Sequence, residues 1–291
     1  MEIDQVISGY KLRSLIAKGQ NSQVWEVVEL ASGRHLAMKS LLDHAIRDGE
    51  QRRMLFHEAK VGQKLAHQHI IKIHKVSENP KQPWFVMEYF AAGSMKFRVQ
   101  NKQTDFIKQH AHKIFRDMAT ALAYMHGSGW LHRDLKPDNI LADSAGQAKL
   151  IDFAIAQRKG TKRGFFARLF GRKHKVQGTP SYMAPEQIRG DDLDFRADLY
   201  SFGATMYEIV ALRPPFVGQN VNDLLNKHVR EKPMTPQGHN PDVTDDFAKL
   251  VMQLLAKKKE ERPQNFHEVM HRLKELAIFK GPAAVSPRAK G

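Results

Sequence analysis

The pattern of apolar residues changes near residue 90, and this change constrains the fold of the 291-residue chain more than any other feature. Before it, the β-rich runs YKLRSLI, VWEVVEL and RHLAMKSL follow one another, with turn signals at Lys18-Gly19 and Ser32-Gly33. They predict an antiparallel meander over 10–39, followed by a charged helix over 48–66 and strands over 70–76 and 84–89. Beyond Gly93, apolar residues recur at helical spacing, most clearly over 106–126. The sequence therefore predicts an α+β protein, with a mostly β first part and a mostly helical remainder.

Charge and cysteine content exclude several classes of function. The chain has 46 Lys and Arg against 31 Asp and Glu, a formal charge of +15, and no cysteine. Without cysteine there is no disulfide, no thiolate catalysis and no Cys-ligated metal site. No run of 18 apolar residues occurs, and the N-terminus lacks the apolar core of a signal peptide, so we expect a cytoplasmic protein. A balance this basic indicates an anionic partner where the charge is clustered.

Two motifs carry the strongest chemical signal. HRDLKPDNIL begins at His132, and LIDFAIA begins at Leu150. Together they resemble the catalytic loop and metal-binding segment of Hanks-type serine/threonine protein kinases of the bacterial kind, and the resemblance covers about residues 10–275. It implies the two-lobed protein-kinase fold: a small antiparallel β lobe with one main helix over 1–90, a larger, mostly helical lobe over 91–279, and a basic tail or linker over 280–291.

The resemblance also implies an activity, the transfer of the γ-phosphate of ATP to Ser or Thr of protein substrates, with Mg²⁺. Asp134 would accept the proton of the attacking hydroxyl, and Lys136 would reach the γ-phosphate. Thr179, in the substrate-docking motif GTPSYMAPE, would tie these two side chains together. Asn139 and Asp152 would supply the oxygen ligands that magnesium prefers.

The N-terminal part resembles the nucleotide-binding half of the same family. LAMK ends at Lys39, which would pair with the α- and β-phosphates, and Glu58 would be its partner on the predicted helix. Further positions that contact the nucleotide in the family are Ala17, Gly19, Val24, Ala37, Met87, Glu88, Phe90 and Leu141. Two scaffold roles carry over as well: Glu186 would pair with Arg262, and Asp198 would hold the catalytic loop from beneath.

Four positions depart from the family pattern. Only the second of three loop glycines is kept, because Ala17 and Ser22 replace the others. We expect weaker or slower nucleotide binding, since each added Cβ takes room beside the phosphates. Ala154 replaces the glycine of DFG and should bias that segment toward one backbone state. Gly62 stands where a larger side chain commonly packs against Phe153, so we expect loose packing of this helix. Ala17, Ser22 and Ala154 support an alternative function, a pseudokinase that binds nucleotide or acts as a scaffold.

The basic charge is concentrated after Asp152. No acidic residue occurs between Asp152 and Glu186, and no Ser or Thr lies between Lys162 and Gly178, so we expect activity without phosphorylation at the usual site. Phe165–Phe170 forms a predicted aromatic face within this segment. Three interpretations of this segment remain open: it is a solvated loop, it binds an acidic protein substrate, or it binds an anionic membrane surface and so places the protein at the membrane periphery. No nucleic acid partner is expected. The basic residues are Arg158, Lys159, Lys162, Arg163, Arg168, Arg172, Lys173 and Lys175.

Overall fold

A computed structural model describes residues 1–77, 79, 82–161 and 178–281. Its first part is a six-stranded antiparallel sheet in the order β1-β2-β3-β4-β6-β5. The strands are β1 Val6–Ile7, β2 Tyr10–Lys18, β3 Ser22–Glu29, β4 His35–Leu41, β5 Ile73–Val76 and β6 Trp84–Glu88. The meander predicted over 10–39 is thus β2 to β4.

The sheet buries one apolar cluster on each face, as alternating strands require. One cluster is made within the sheet by Leu12, Trp25, Val27, Met38 and Val86, among others. On the other face lie two helices, α1 Asp43–Ile46 and α2 Gly49–Gly62, and α2 buries Leu55 and Ala59 against Phe85 and Ile73. Asp48 caps α2, because its side chain accepts a hydrogen bond from the Glu50 amide. This face of the sheet therefore fixes where α2 lies.

The second part is mostly helical. Its core surrounds α4, Thr104–Gly127, which has Ile107, Ala111, Ile114 and Phe115 on its buried face. The core also surrounds α6, Arg196–Ala211, which is buried along nearly its whole length. The helices are α3 Met95–Gln100, α4 Thr104–Gly127, α5 Pro185–Arg189, α6 Arg196–Ala211, α7 Val221–Arg230, α8 Asp245–Leu254 and α9 Phe266–Glu275. None of the helices in the described part of the chain is long and apolar enough to cross a membrane.

Short strands connect the helices to the cleft between the two parts. β7 Gly93–Ser94, β9 Ile140–Ala142 and β10 Ala148–Leu150 form one small sheet, and β8 Trp130–Leu131 pairs with β11 Gln157–Arg158. The loops between these strands carry the HRDLKPDNIL and LIDFAIA residues. The α+β, two-lobed arrangement predicted from the sequence is confirmed.

Two predicted boundaries are wrong. The helix predicted over 48–66 ends at Gly62, where a tight turn follows, with the Leu65 amide donating to the Gly62 carbonyl at 3.2 Å. The strand predicted from residue 70 begins at Ile73, because Ile70 forms an isolated parallel bridge with Leu150 of the helical part instead. The second difference arises from a contact between residues distant in sequence, which local patterns do not encode.

Candidate active site

A cavity of about 180 Å³ lies between the sheet and the helical part. Seven of the predicted site residues line it: Ala17, Gly19, Val24, Lys39, Glu58, Met87 and Asp152. Ser22, which the loop motif places beside the phosphates, lines it as well, and so do five residues that the sequence analysis did not place at the nucleotide site: Ile71, Ile73, Phe85, Ile151 and Phe153. Adjacency to Asp152 could have indicated Ile151 and Phe153, whereas the others had no local signal.

Four predicted nucleotide contacts lie outside this cavity lining. Ala37 is buried on β4 as the register partner of Met87. Glu88 ends β6 and forms an ion pair with Lys149 at 2.9 Å. Phe90 follows, half-buried, with the Lys149 ammonium 5.7 Å from its ring centre. Leu141 lies on β9, in register with Lys149 on β10. Their roles at the nucleotide stay predictions.

A buried ion pair joins the sheet to α2. Lys39 Nζ donates to both carboxylate oxygens of Glu58, at 2.8 and 2.7 Å, and lies 3.9 Å from Asp152 Oδ2. Burial acts to lower the pKa of Lys39, but the charges of Asp152 and Glu58 outweigh it and hold the pKa above its usual value. Burial likewise acts to raise the pKa of Asp152, but Lys39, the Ala154 amide, Lys136 and His132 together more than offset it, so that pKa lies below its usual value. A fixed ammonium and an ionised carboxylate therefore face each other across the cavity.

Asp134 is held by two partners on one side of the cleft. Its Oδ1 accepts from the Thr179 amide at 2.8 Å and the Thr179 hydroxyl at 2.9 Å, and Lys136 Nζ donates to its Oδ2 at 2.8 Å. Lys136 also donates to the Thr179 hydroxyl at 2.7 Å, which closes a triangle of three side chains. Gly178 makes this approach possible: its φ is +116°, and a Cβ there would lie 3.3 Å from the Arg133 carbonyl.

The backbone before Asp134 is fixed from below by one buried carboxylate. Asp198, on α6, accepts from the amides of His132 and Arg133 at 2.8 Å each and from His126 Nε2 at 2.8 Å. Burial opposes ionisation of Asp198, but these hydrogen bonds and the two histidines keep its pKa below the usual value. The bonds hold Arg133 at a left-handed φ of +70°, which is costly for a residue with a Cβ.

The backbone around Asp152 does not require glycine at position 154. Asp152 has a positive φ, at +67°, whereas Ala154 does not have one. The Ala154 amide donates to Asp152 Oδ1 at 3.2 Å, and Phe153 is fully buried with its ring edge-on to His132 at 5.8 Å. The Cβ of Ala154 therefore imposes no strain on this arrangement.

The loop of the missing glycines is a tight turn that closes on itself. The Gly19 amide donates to the Ser22 carbonyl at 2.8 Å, and a Cβ at position 19 would lie 3.6 Å from that oxygen, an ordinary contact. Since Gly19 does not have a positive φ, the turn itself does not require glycine in this conformation.

The packing around Gly62 is not loose, contrary to expectation. The Ile73 side chain, from β5, occupies the space beside Gly62, so that an added Cβ would overlap its Cδ1 and come within 2.9 Å of its Cγ1. Phe153 Cδ2 would lie 3.3 Å from the same Cβ. A strand residue thus fills the place of the missing helix side chain.

Two buried polar contacts support the residues after Gly178. Arg262 donates to both oxygens of Glu186, at 2.6 and 2.9 Å, which is the pair implied by the resemblance. The Tyr182 hydroxyl donates to Glu208 at 2.5 Å, and Lys96 donates to the other oxygen of Glu208 at 2.6 Å. This second set was missed, because the contacts join residues 26 and 112 positions apart without any shared motif.

Comparison with known proteins agrees with the geometry. Residues 10–273 match the protein kinase domain family model. A probable serine/threonine-protein kinase of Streptomyces coelicolor is 30% identical over 264 residues, which are 89% of this chain and 38% of that protein. The serine/threonine-protein kinase PknB of Mycolicibacterium smegmatis is 30% identical over 283 residues, 96% of this chain and 44% of that protein.

A DNA damage-responsive serine/threonine-protein kinase of Deinococcus radiodurans is also 30% identical, over 264 residues. The chain spans about two fifths of the length of these curated relatives. With the family model covering most of the residues and the Lys39, Asp134 and Asp152 side chains in one cleft, the chain belongs to the protein kinase family.

Proposed function

We propose that this chain is a serine/threonine protein kinase, which transfers the γ-phosphate of ATP to a Ser or Thr hydroxyl of a protein substrate. The observation that carries the proposal is the triangle of Asp134, Lys136 and Thr179. The hydrogen bonds within this triangle hold a carboxylate, a cation and a hydroxyl next to the cavity that Lys39 and Asp152 line. Phosphoryl transfer depends mostly on positioning and charge, which such a set provides.

In this mechanism the acceptor hydroxyl gives its proton to Asp134. The Thr179 and Lys136 contacts hold both oxygens of that carboxylate, so the group has one orientation before substrate arrives. Lys39 binds the phosphates of ATP, and Glu58 keeps its ammonium pointed into the cavity. Lys136 neutralises charge on the phosphoryl group as it moves to the hydroxyl oxygen.

Asn139 and Asp152 are the residues that would hold magnesium, and their chemistry fits the ion. Asn139 donates its amide hydrogens to the Asp134 carbonyl at 2.8 Å, so its side-chain oxygen is the ligand atom it can offer. Asp152 has a lowered pKa and is ionised at neutral pH. Magnesium binds through one or two such oxygen ligands together with phosphates, and when bound it neutralises phosphate charge.

The pseudokinase alternative rests on Ala17 and Ser22, which line the same cavity. The two functions differ in one measurable step, because a pseudokinase binds ATP without transferring phosphate. The preference for acidic substrates and the contact of Phe165–Phe170 with an anionic membrane remain predictions, as does the cytoplasmic location. Phe165–Phe170 lies outside the described residues.

The test is transfer of radiolabelled phosphate from ATP to a generic protein acceptor in the presence of Mg²⁺. Asp134→Asn should abolish transfer and leave ATP binding intact. Asp138→Asn is the matched control, since Asp138 is an exposed acid of the same loop and should leave transfer within about twofold. ATP binding without transfer by the unaltered protein would refute the kinase proposal in favour of the pseudokinase.

A further inference from the structure

A hydrogen bond joins helix α2 to the segment that follows Asp152. His57 Nε2 lies 2.7 Å from the carbonyl oxygen of Ala156, a residue 99 positions later. A carbonyl oxygen only accepts, so Nε2 carries the proton and donates. Ala156 is fully buried. Burial lowers the pKa of His57, so the neutral ring makes this bond at pH 7.

The catalytic loop holds the neighbouring carbonyl of the same segment. Arg133, directly before Asp134, donates through Nη1 to the Ile155 carbonyl at 3.4 Å. Two successive carbonyls are therefore held by two different elements, Ile155 by the catalytic loop and Ala156 by α2. The segment after Asp152 bridges these two parts of the site.

Aromatic and cationic side chains strengthen the same junction. The Trp130 ring packs edge-on against His57, with centres 6.2 Å apart. The Arg158 guanidinium lies 5.2 Å from the centre of the Trp130 ring, and these two residues are partners in the β8–β11 pair. His57 thus contacts both β8, the strand that leads into the catalytic loop, and the segment that follows Asp152.

The position of α2 matters because Glu58 is the next residue after His57. Glu58 reaches Lys39 with both oxygens, and such a lysine–glutamate pair must be in place for phosphoryl transfer in this family. The sequence offers no Ser or Thr between Lys162 and Gly178 that could carry a phosphate. Thr161, just before, uses its hydroxyl to donate to the Arg158 carbonyl at 2.7 Å.

We propose that His57 is a positioning residue, whose bond to the Ala156 carbonyl holds α2 so that Glu58 stays on Lys39 without a phosphate on the segment after Asp152. This inference rests on the proposed kinase function. In this proposal a neutral histidine makes the contact that holds α2, so the Lys39–Glu58 pair does not depend on phosphorylation.

The test compares His57→Gln with His57→Asn in the full chain. Glutamine places an amide nitrogen about where Nε2 lies and can donate to Ala156, whereas asparagine is one methylene shorter and cannot reach. We expect His57→Asn to lower kcat about ten- to a hundredfold, the factor for leaving one buried carbonyl without a donor, with a smaller change in the KM for ATP. His57→Gln should restore kcat to within about threefold of the unaltered protein. Equal activities of the two variants would overturn the proposal.

A second measurement does not depend on kinase activity. Hydrogen exchange of the α2 backbone amides should be faster in His57→Asn than in the unaltered protein, and normal in His57→Gln, while exchange in α6 stays unchanged in both. If the unaltered protein transfers no phosphate, the proposed function fails, and the exchange comparison still decides whether His57 holds α2. Equal exchange in the two variants would refute that role whatever the activity.

Discussion

Replacing Gly62 by alanine should destabilise the protein, although the sequence alone predicts the opposite. Alanine favours a helix over glycine by up to about 1 kcal/mol. Against this, the new Cβ would overlap Ile73 Cδ1 and lie 2.9 Å from Cγ1, close to the backbone of β5. Overpacking of this kind costs about 1–3 kcal/mol. Because the close contact includes Cγ1 and not only the end of the side chain, Ile73 cannot relieve it by moving Cδ1 alone, and we expect a net loss of about 1–2 kcal/mol.

A double-mutant cycle with Ile73→Ala isolates this contact. Ile73→Ala alone should cost about 2–5 kcal/mol, because it opens a cavity in the cluster beside Phe85. In that background the overlap is gone, and Gly62→Ala should stabilise the protein by about 1 kcal/mol through helix propensity. The expected coupling between the two substitutions is therefore about 2–3 kcal/mol, well above the non-additivity of independent sites.

The assay is urea unfolding of the four proteins, with midpoints and slopes compared. Gly49→Ala, at the half-buried first position of the same helix, is the control for a glycine-to-alanine change without a rigid neighbour, since the nearest atoms to its added Cβ are the ends of two arginine side chains. Stabilisation by Gly62→Ala in the unaltered protein, or the same effect in both backgrounds, would show that Ile73 does not fill the space beside Gly62.

Three further predictions concern the other buried polar groups. Thr179→Ala should lower kcat about tenfold or more, whereas Thr179→Ser should retain most of it, because serine keeps the hydroxyl that Asp134 and Lys136 share. Equal kcat values of the two variants in steady-state kinetics would contradict this prediction. Arg262→Met should cost about 3–5 kcal/mol in urea unfolding, since it leaves the buried Glu186 carboxylate without its partner, and a cost below about 1 kcal/mol would count against the pair. Burial lowers the pKa of His228 to about 3 in the native protein. Below about pH 6.5 the unfolded chain therefore binds a proton on this histidine that the native protein does not bind. The free energy of unfolding should then fall by about 1.4 kcal/mol for each pH unit between pH 6 and 4. His228→Gln should remove that part of the slope, and an unchanged slope would contradict the burial of a neutral imidazole.

The side-chain contacts in the cleft were predictable because each motif carries its own geometry. Asp134 and Lys136 lie in one loop, and Gly178 with its positive φ delivers Thr179 to them. The Lys39–Glu58 pair follows from a strand and a helix that the apolar pattern already indicates. These contacts depend on local conformation and on elements that are recognisable one at a time.

The contacts that the sequence analysis missed or misjudged all join distant elements. Ile73 compensates for Gly62 from another strand, and Ile70 leaves the predicted strand to pair with Leu150. Lys96 reaches Glu208 across 112 positions. No period or motif relates such residues, because each contact follows from how whole elements pack against one another.

The departures from the family pattern therefore have unequal consequences. An alanine strains the backbone only where glycine would adopt a conformation that a Cβ forbids, and Ala154 lacks the positive φ that Asp152, two residues before it, has. The Asp152 carboxylate still reaches to within 3.9 Å of Lys39, so this substitution does not remove any part of the chemistry. Ala17 and Ser22 differ, because they line the cavity itself and add atoms where the phosphates of a nucleotide would lie. We therefore expect them to affect how tightly ATP binds, whereas Asp134 and Lys136, which we propose act on the acceptor hydroxyl and the transferred phosphoryl group, keep all of their contacts with Thr179.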